Sequence, residues 1–442
     1  MRAEWRATHR DEWGWLGRRV VAEFRAGRLR PLLFLVAIGS ILVFQMVKNK
    51  GMVNAAVRRA LARAEGAAWV LLSPEDLERR CGWVLRLNPR ARPLRLRNAR
   101  YAAHPQVVAR LTALSYDLRL IDPAESLKVG LAAADTADAL DLGAEWARLV
   151  ADLRAHAWGN VANCQRLVGN FSLAHEVWGR IAPLRDAWQG EPRLAGNLAR
   201  WEAALLLDQG KHEPAAQLYD HSASLFAAAR EPHEAGKSRL GLAITHFEAG
   251  EPKRAIRSAL GAADLLDYER EPEMALAFFH NMLSFLEADH QPELALAVFP
   301  SVEHWYGYLD SPLLGYRAQW LRSRLHLAAE EPRGAAVYGD LARRGLMAEG
   351  QTLDAALAGF DAALGWMQVG GFYRVQHLAQ EMYEVFTSHE IPREAAGAFQ
   401  LFADAARTGR ADLNLLRRVA KELEPLRRPG VRHSAAEPEQ VL

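Results

Sequence analysis

The sequence predicts an all-α fold, a solenoid of antiparallel helix pairs repeating every 40 residues or so behind an N-terminal helical segment. Three observations carry this. Prolines keep a fixed beat: Pro192, Pro232, Pro272 and Pro312 stand 40 residues apart, and Pro252, Pro292 and Pro332 repeat that period offset by 20. Proline is tolerated in the first turn of a helix, where its missing N–H is not needed, so two helices start in each period. A second column, Gly169, Gly210, Gly250, His290, Glu330 and Gly370, is followed five residues later by Ala174, Ala215, Ala255, Ala295, Ala335 and Val375. The first member marks the left-handed turn that ends the first helix of a pair, helix A, and the second marks where helix B approaches it closely. Finally, Trp158, Trp178, Leu206, Tyr219, Phe279 and Phe299 fall on apolar stripes at helical spacing, as packing residues do.

Composition is that of a folded chain: 50% of the 442 residues are hydrophobic and 24% charged. The net charge of +2 hides an asymmetry, because residues 1–100 hold 21 Lys and Arg against 8 Asp and Glu, and the remainder is acidic. Only seven of the 55 basic residues are lysines, a bias that makes arginine clusters weak pointers to nucleic acid. Cys81 and Cys164 are too far apart for a disulfide framework or a cysteine-based metal site.

From the start of the chain, residues 1–30 form a basic segment rich in Trp and Arg, and residues 31–47 (PLLFLVAIGSILVFQMV) an uncharged run long enough for a transmembrane anchor. The arginines that follow place the repeats on the cytoplasmic side, so the expected location is the inner membrane with a single N-terminal span. Translation from Met46 or Met52 would instead leave a cytoplasmic protein. Residues 48–110 read as a basic helical and linker region, within which 85–100 (LRLNPRARPLRLRNAR) is an irregular connector broken by two prolines. The repeat array spans 111–427 and a flexible tail 428–442. Within the array, Glu191, Glu231, Glu251, Glu271 and Glu331 precede helix-opening prolines, where a carboxylate suits the helix dipole, and Ser311 is the expected N-cap of the next helix.

The stretch WGNVANCQRLVGNFSLAHEVW (158–178) sets Trp158, Val161, Ala162, Gly169, Ala174 and Trp178 in an aromatic, large, small, turn-glycine, small, aromatic order. In this the chain resembles the tetratricopeptide repeat family, over about 145–385, with a period of 40 instead of 34 and with His290 and Glu330 in place of the turn glycine. It also resembles uncharacterised bacterial proteins carrying such arrays. The resemblance implies a right-handed superhelix and a protein-binding scaffold without chemistry.

Counted back from each turn, the positions facing the inner wall are His156, Asn163 and Arg166; Asn197 and Arg200; Lys237; His280 and Ser284; and Arg317, Trp320 and Arg324. Five of these are firm cations and none is an acid. Such a wall favours a protein or peptide with an acidic segment or a free C-terminal carboxylate, with Trp320 as an apolar anchor. The bland alternative is that the arginines merely solvate an empty face.

No catalytic residue or metal ligand emerges. Gly236-Lys237-Ser238 ends like a phosphate loop, but Pro232 starts a helix where a loop after a strand is required. The 15 histidines show no zinc-binding spacing, and His246 lies on an apolar helix face like a core histidine. No cofactor is expected. The function expected is a non-catalytic scaffold or adaptor, membrane-tethered through 31–47. The alternative is a regulatory or sensor subunit that sequesters a transcription or signalling factor, its basic head touching nucleic acid, although nothing in the sequence forms a nucleic-acid motif.

Overall fold

A computed structural model of the protein describes residues 72–99, 102–119, 122–186, 192–307, 311–388 and 393–423. Among these are eighteen α-helices and no β-strand. They are α1 (Pro74–Arg86), α2 (Arg92–Asn98), α3 (Pro105–Leu118), α4 (Pro123–Asp138), α5 (Ala147–Leu167), α6 (Phe171–Asp186), α7 (Pro192–Asp208), α8 (His212–Ala228) and α9 (Pro232–Glu248), then α10 (Pro252–Ala263), α11 (Glu273–Ala288), α12 (Pro292–Val302), α13 (Pro312–Ala328), α14 (Pro332–Ala348), α15 (Thr352–Gln368), α16 (Phe372–Ser388), α17 (Arg393–Arg407) and α18 (Leu413–Leu423). Proline opens six of the seven helices expected from the beat, and Pro272 is the N-cap of α11.

The turns explain why the period tolerates substitution. Gly169 donates its N–H to the Arg166 carbonyl at 3.0 Å and Asn170 donates to that of Gln165 at 2.8 Å, the two bonds of a Schellman cap. His290 and Glu330 make the same pair of bonds, at 3.1 and 2.9 Å and at 3.2 and 2.8 Å for themselves and the residue that follows each. Their φ values of 56° and 58° lie in the left-handed region occupied by Gly169 at 83° and Gly370 at 79°. Both side chains are exposed, so each bears the cost of a left-handed Cβ with no packing in return. His290→Gly and Glu330→Gly are expected to raise stability by about 0.5–1 kcal/mol each, read as higher thermal midpoints.

The chain divides into two compact units. Within the described residues the first comprises 72–249 with 261–266, and the second 250–260 with 267–423. In the first unit α3/α4, α5/α6 and α7/α8 pack as successive pairs and α9 closes on α8. In the second, α11/α12, α13/α14, α15/α16 and α17/α18 do the same. Helix A of one pair also packs on helix A of the next, as α3 on α5, α5 on α7, and α13 on α15. That leaves one face of each A helix to line a wall.

The small-residue column is buried as close approach demands. Ala174, Ala215, Ala255, Ala295 and Ala335 have no exposed surface and Val375 is 1% exposed. Trp178, Tyr219, Phe279 and Phe299 are buried, and Trp158 is partly buried with its indole N–H donated to Asp138 at 3.2 Å. His246 is a buried core residue, and Gly236, Lys237 and Ser238 sit inside α9.

Three expectations are corrected. Residues 85–100 are not wholly irregular: α2 forms there, and Arg92 and Leu96 are buried. Arg92 pairs with Asp135 of α4 at 3.2 Å, which joins the connector to the first helix pair. Burial pushes the Asp135 carboxyl up from its ordinary pKa against the pull of Arg92. Ser311 stands at the N-cap of α13, but its side chain makes no capping hydrogen bond. The inner-membrane location is overturned as well: among the described residues no helix is long and apolar enough to cross a membrane, because these helices set an apolar face against a charged one. Residues 31–47, on which that expectation rested, lie outside the described residues, as do 1–30, 48–71 and the tail 428–442.

Candidate functional site

In the first unit the wall is built from α3, α5, α7 and α9. Arg166, in the last turn of α5, pairs with Asp208 at the end of α7 at 2.7 Å and also donates to Asn163 at 3.2 Å. Arg200 of α7 reaches Glu234 in the first turn of α9 at 2.8 Å, and its other nitrogen donates to Asn197 at 2.7 Å. Lys237 lies 3.7 Å from the same Glu234. Burial alone would raise the Glu234 pKa, but Arg200 and Lys237 outweigh it and hold the carboxyl at about 2. Arg193 and Glu231 form a further, buried pair between α7 and the N-cap of α9.

An aromatic cluster lies among these pairs. His156 of α5 stacks on Trp201 of α7 with ring centroids 5.4 Å apart, and Trp201 is 6.4 Å from Tyr116 of α3. Arg119 covers the Tyr116 ring at 3.7 Å, and the Lys237 ammonium approaches that ring at 5.9 Å. Trp201 of α7 and Lys237 of α9 thus reach Tyr116 of α3, with His156 of α5 joined to it through Trp201, and a ligand on this wall meets rings as well as charges. Burial lowers the His156 pKa to about 4, so the imidazole is neutral at pH 7.

In the second unit α11, α13 and α15 form the corresponding wall. Arg324 of α13 pairs with Glu287 of α11 at 2.7 Å, and Arg317 lies 3.5 Å from Asp354 of α15. Trp320 donates its indole N–H to the buried Asp361 at 2.8 Å. His280 meets the Tyr306 hydroxyl at 3.1 Å, where a short 3-10 helix (Glu303–Gly307) brings the tyrosine over it, and Ser284 donates back to the His280 carbonyl. Burial, with Arg324 and Arg317 adding to it, lowers the His280 pKa to about 4.

Every sequence-predicted position thus has a place, but the reading of the wall as cationic without acid is corrected. Between them Asp208, Glu234, Glu287 and Asp354 face all five cations, Glu234 meeting both Arg200 and Lys237. Apart from Lys237–Glu234, which lies within α9, these ion pairs and the Trp320–Asp361 bond join residues 34, 37, 41 and 42 positions apart, one repeat period shifted by up to two turns. They are ties between neighbouring A helices. Sequence reasoning counted one A helix at a time and missed the partners. The signal available was an acid near one period from each arginine. Tyr116 and Trp201 were missed because each sits at the boundary between the core and the wall.

No family model matches the chain, and no curated protein matches it. Solved structures do. A Rap protein complexed with competence and sporulation factor superposes with a TM-score of 0.52 at 14% identity, covering 73% of this chain and 87% of that one. The fold is tetratricopeptide-like. A signal transduction ATPase with a tetratricopeptide repeat sensor from Pyrococcus horikoshii gives 0.49 at 12% identity, over 92% of this chain and 72% of that one. BtubC from P. vanneervenii gives 0.39 at 13%, over 56% and 91%.

Proposed function

We propose that the protein is a non-catalytic interaction scaffold that binds a peptide or protein partner along the A-helix walls. The observation that carries this is the convergence of polar and aromatic side chains from successive A helices, Tyr116, His156, Trp201 and Lys237 above all, on one face of the first unit. Stacked helix pairs present such a face as a continuous track, which suits an extended or helical segment better than a small molecule. The Rap protein of similar fold is complexed with a factor, which supports the same use here.

An acidic partner on these walls competes with carboxylates already in place. The cation with the most room is Arg317, whose side chain is 43% exposed while its partner Asp354 is buried. Arg317 is therefore the position at which a partner's carboxylate, side-chain or C-terminal, is best received. The test is affinity purification of partners by the full chain and by Arg317→Glu, with thermal midpoints measured in parallel. The expected result is a protein partner retained by the wild type and depleted roughly tenfold by the variant, whose midpoint falls because the buried Asp354 loses its cation but which is still folded at the assay temperature. Equal recovery by both overturns the assignment of Arg317, and recovery unaffected by reversals along both walls overturns the wall.

A further inference from the structure

The cations on the walls are neutralised internally, but a second group of cations is not. Arg86, at the end of α1, Arg90, in the connector, and Arg95 and Arg97, in α2, are all exposed, and none has a carboxylate partner among the described residues. The run 85–99 contains no acidic and no aromatic residue. Amid these arginines stand two exposed leucines, Leu94 at 64% and Leu85 at 36%. The elbow is held in shape: Arg92 and Leu96 point inward, and the Arg92–Asp135 pair fastens α2 to α4. The arginines on its outer side are thus presented on a packed support, which lowers the ordering cost of engaging them.

We infer that the α1–α2 elbow is a docking surface for an acidic protein segment in which carboxylates flank an apolar residue. Guanidinium forks match carboxylates in bidentate geometry, and an exposed leucine between them gains from apolar contact. The same features argue against the other polyanions. Single-stranded nucleic acid calls for aromatic side chains on which bases stack, and a duplex backbone gives the leucines nothing to bury against. A membrane surface calls for a continuous apolar stripe sunk into the headgroup region, whereas α2 turns Leu96 into the protein and leaves Leu94 alone outside. This inference goes beyond the wall reading and is independent of it: the elbow and the walls are different surfaces with different charge states.

The experiment uses the full chain and a fluorescent 12-residue probe peptide in which Asp and Glu flank two leucines. Its anisotropy is titrated against the wild type, the triple variant Arg90→Glu/Arg95→Glu/Arg97→Glu, Leu94→Ser, and Arg333→Glu, a reversal at an exposed arginine of the B helix α14, away from both elbow and walls. Helix content by circular dichroism checks that each variant is folded. The expected result is saturable binding that weakens steeply with salt, falls at least 30-fold in the triple variant and several-fold in Leu94→Ser, and is unchanged in Arg333→Glu. Parallel titrations use a 20-base-pair DNA duplex and vesicles of phosphatidylcholine with 30% phosphatidylserine, both expected to bind more weakly than the peptide. A peptide affinity within twofold of wild type in the triple variant overturns the inference, and so does tighter binding of the duplex or the vesicles. Should the elbow fail while Arg317→Glu still loses its partner in the purification assay, the wall reading stands alone.

Discussion

Arg200→Glu is expected to destabilise the first unit by about 3–5 kcal/mol, which is what removing one member of a buried ion pair costs when the other is left behind. Arg200 and Glu234 are 11% and 14% exposed at the side chain, and the guanidinium also stacks over the Phe226 ring at 5.0 Å and bonds Asn197. The reversal places two carboxylates together beside Lys237 and removes all three contacts. On the sequence-derived view that the wall arginines are solvated, reversing Arg200 costs little; burial of the pair changes that expectation. Chemical denaturation of the variant measures it, and a midpoint within error of wild type would show that water screens the pair. Acid tests the same contact by another route. The Glu234 pKa is depressed in the folded protein, so its contribution is fully present above the unfolded carboxyl value and is lost as pH falls toward about 2. The wild type is expected to lose stability steadily below about pH 4.5, and Glu234→Gln, already lacking the charge, to show a shallower loss over that interval.

Gly365→Val is expected to cost about 3 kcal/mol or more, at the upper end of overpacking penalties, because the obstacle is backbone. A Cβ at Gly365 would lie 2.6 Å from the Ala336 nitrogen and 2.7 Å from the Pro332 carbonyl oxygen. These atoms belong to the first turn of α14, so α14 and α15 have to move apart to admit it, and no rotamer change relieves the clash. Gly345, where the atoms nearest an added Cβ belong to the Tyr316 ring, is the control: a side chain can yield where a helix cannot, so Gly345→Val is expected to be milder. Differential scanning calorimetry on the full chain reads both variants. Because each pair leans on its neighbours, the Gly365→Val loss is expected to spread through the second unit as a broadened transition. A sharp transition at the wild-type temperature would contradict the close approach of α14 and α15.

Much of this was legible in the residues. The proline beat located helix starts to within a residue, since a ring that fixes φ and lacks an N–H tolerates few other positions in a helix. The small-residue column located close approach for a similarly local reason, that a bulky Cβ substituent keeps backbones apart. His290 and Glu330 show the limit of composition as a signal. They hold the left-handed turn although neither is glycine, because the flanking helices and the two cap bonds over-determine that conformation. Their place was read from period and not from residue type.

The sequence by itself determined the helical class, the period, the turns and which small residues are buried. All of these depend on interactions within one helix pair, where spacing along the chain is a direct measure of spacing in space. Only the tertiary structure decided the chemistry of the wall. Whether Arg166, Arg200 or Arg324 is free depends on a carboxylate about one period away, and a rotation of one helix by a single residue, about 100°, would aim that carboxylate elsewhere. The same holds for Arg92 and its neighbours in the elbow. In a run of six arginines with no distinguishing spacing, packing against α4 took one into an ion pair and left Arg86, Arg90, Arg95 and Arg97 facing outward. Charge counts are summed along the chain, whereas neutralisation acts through contacts between helices, and that is why the surface that remains cationic was not the one the sequence proposed.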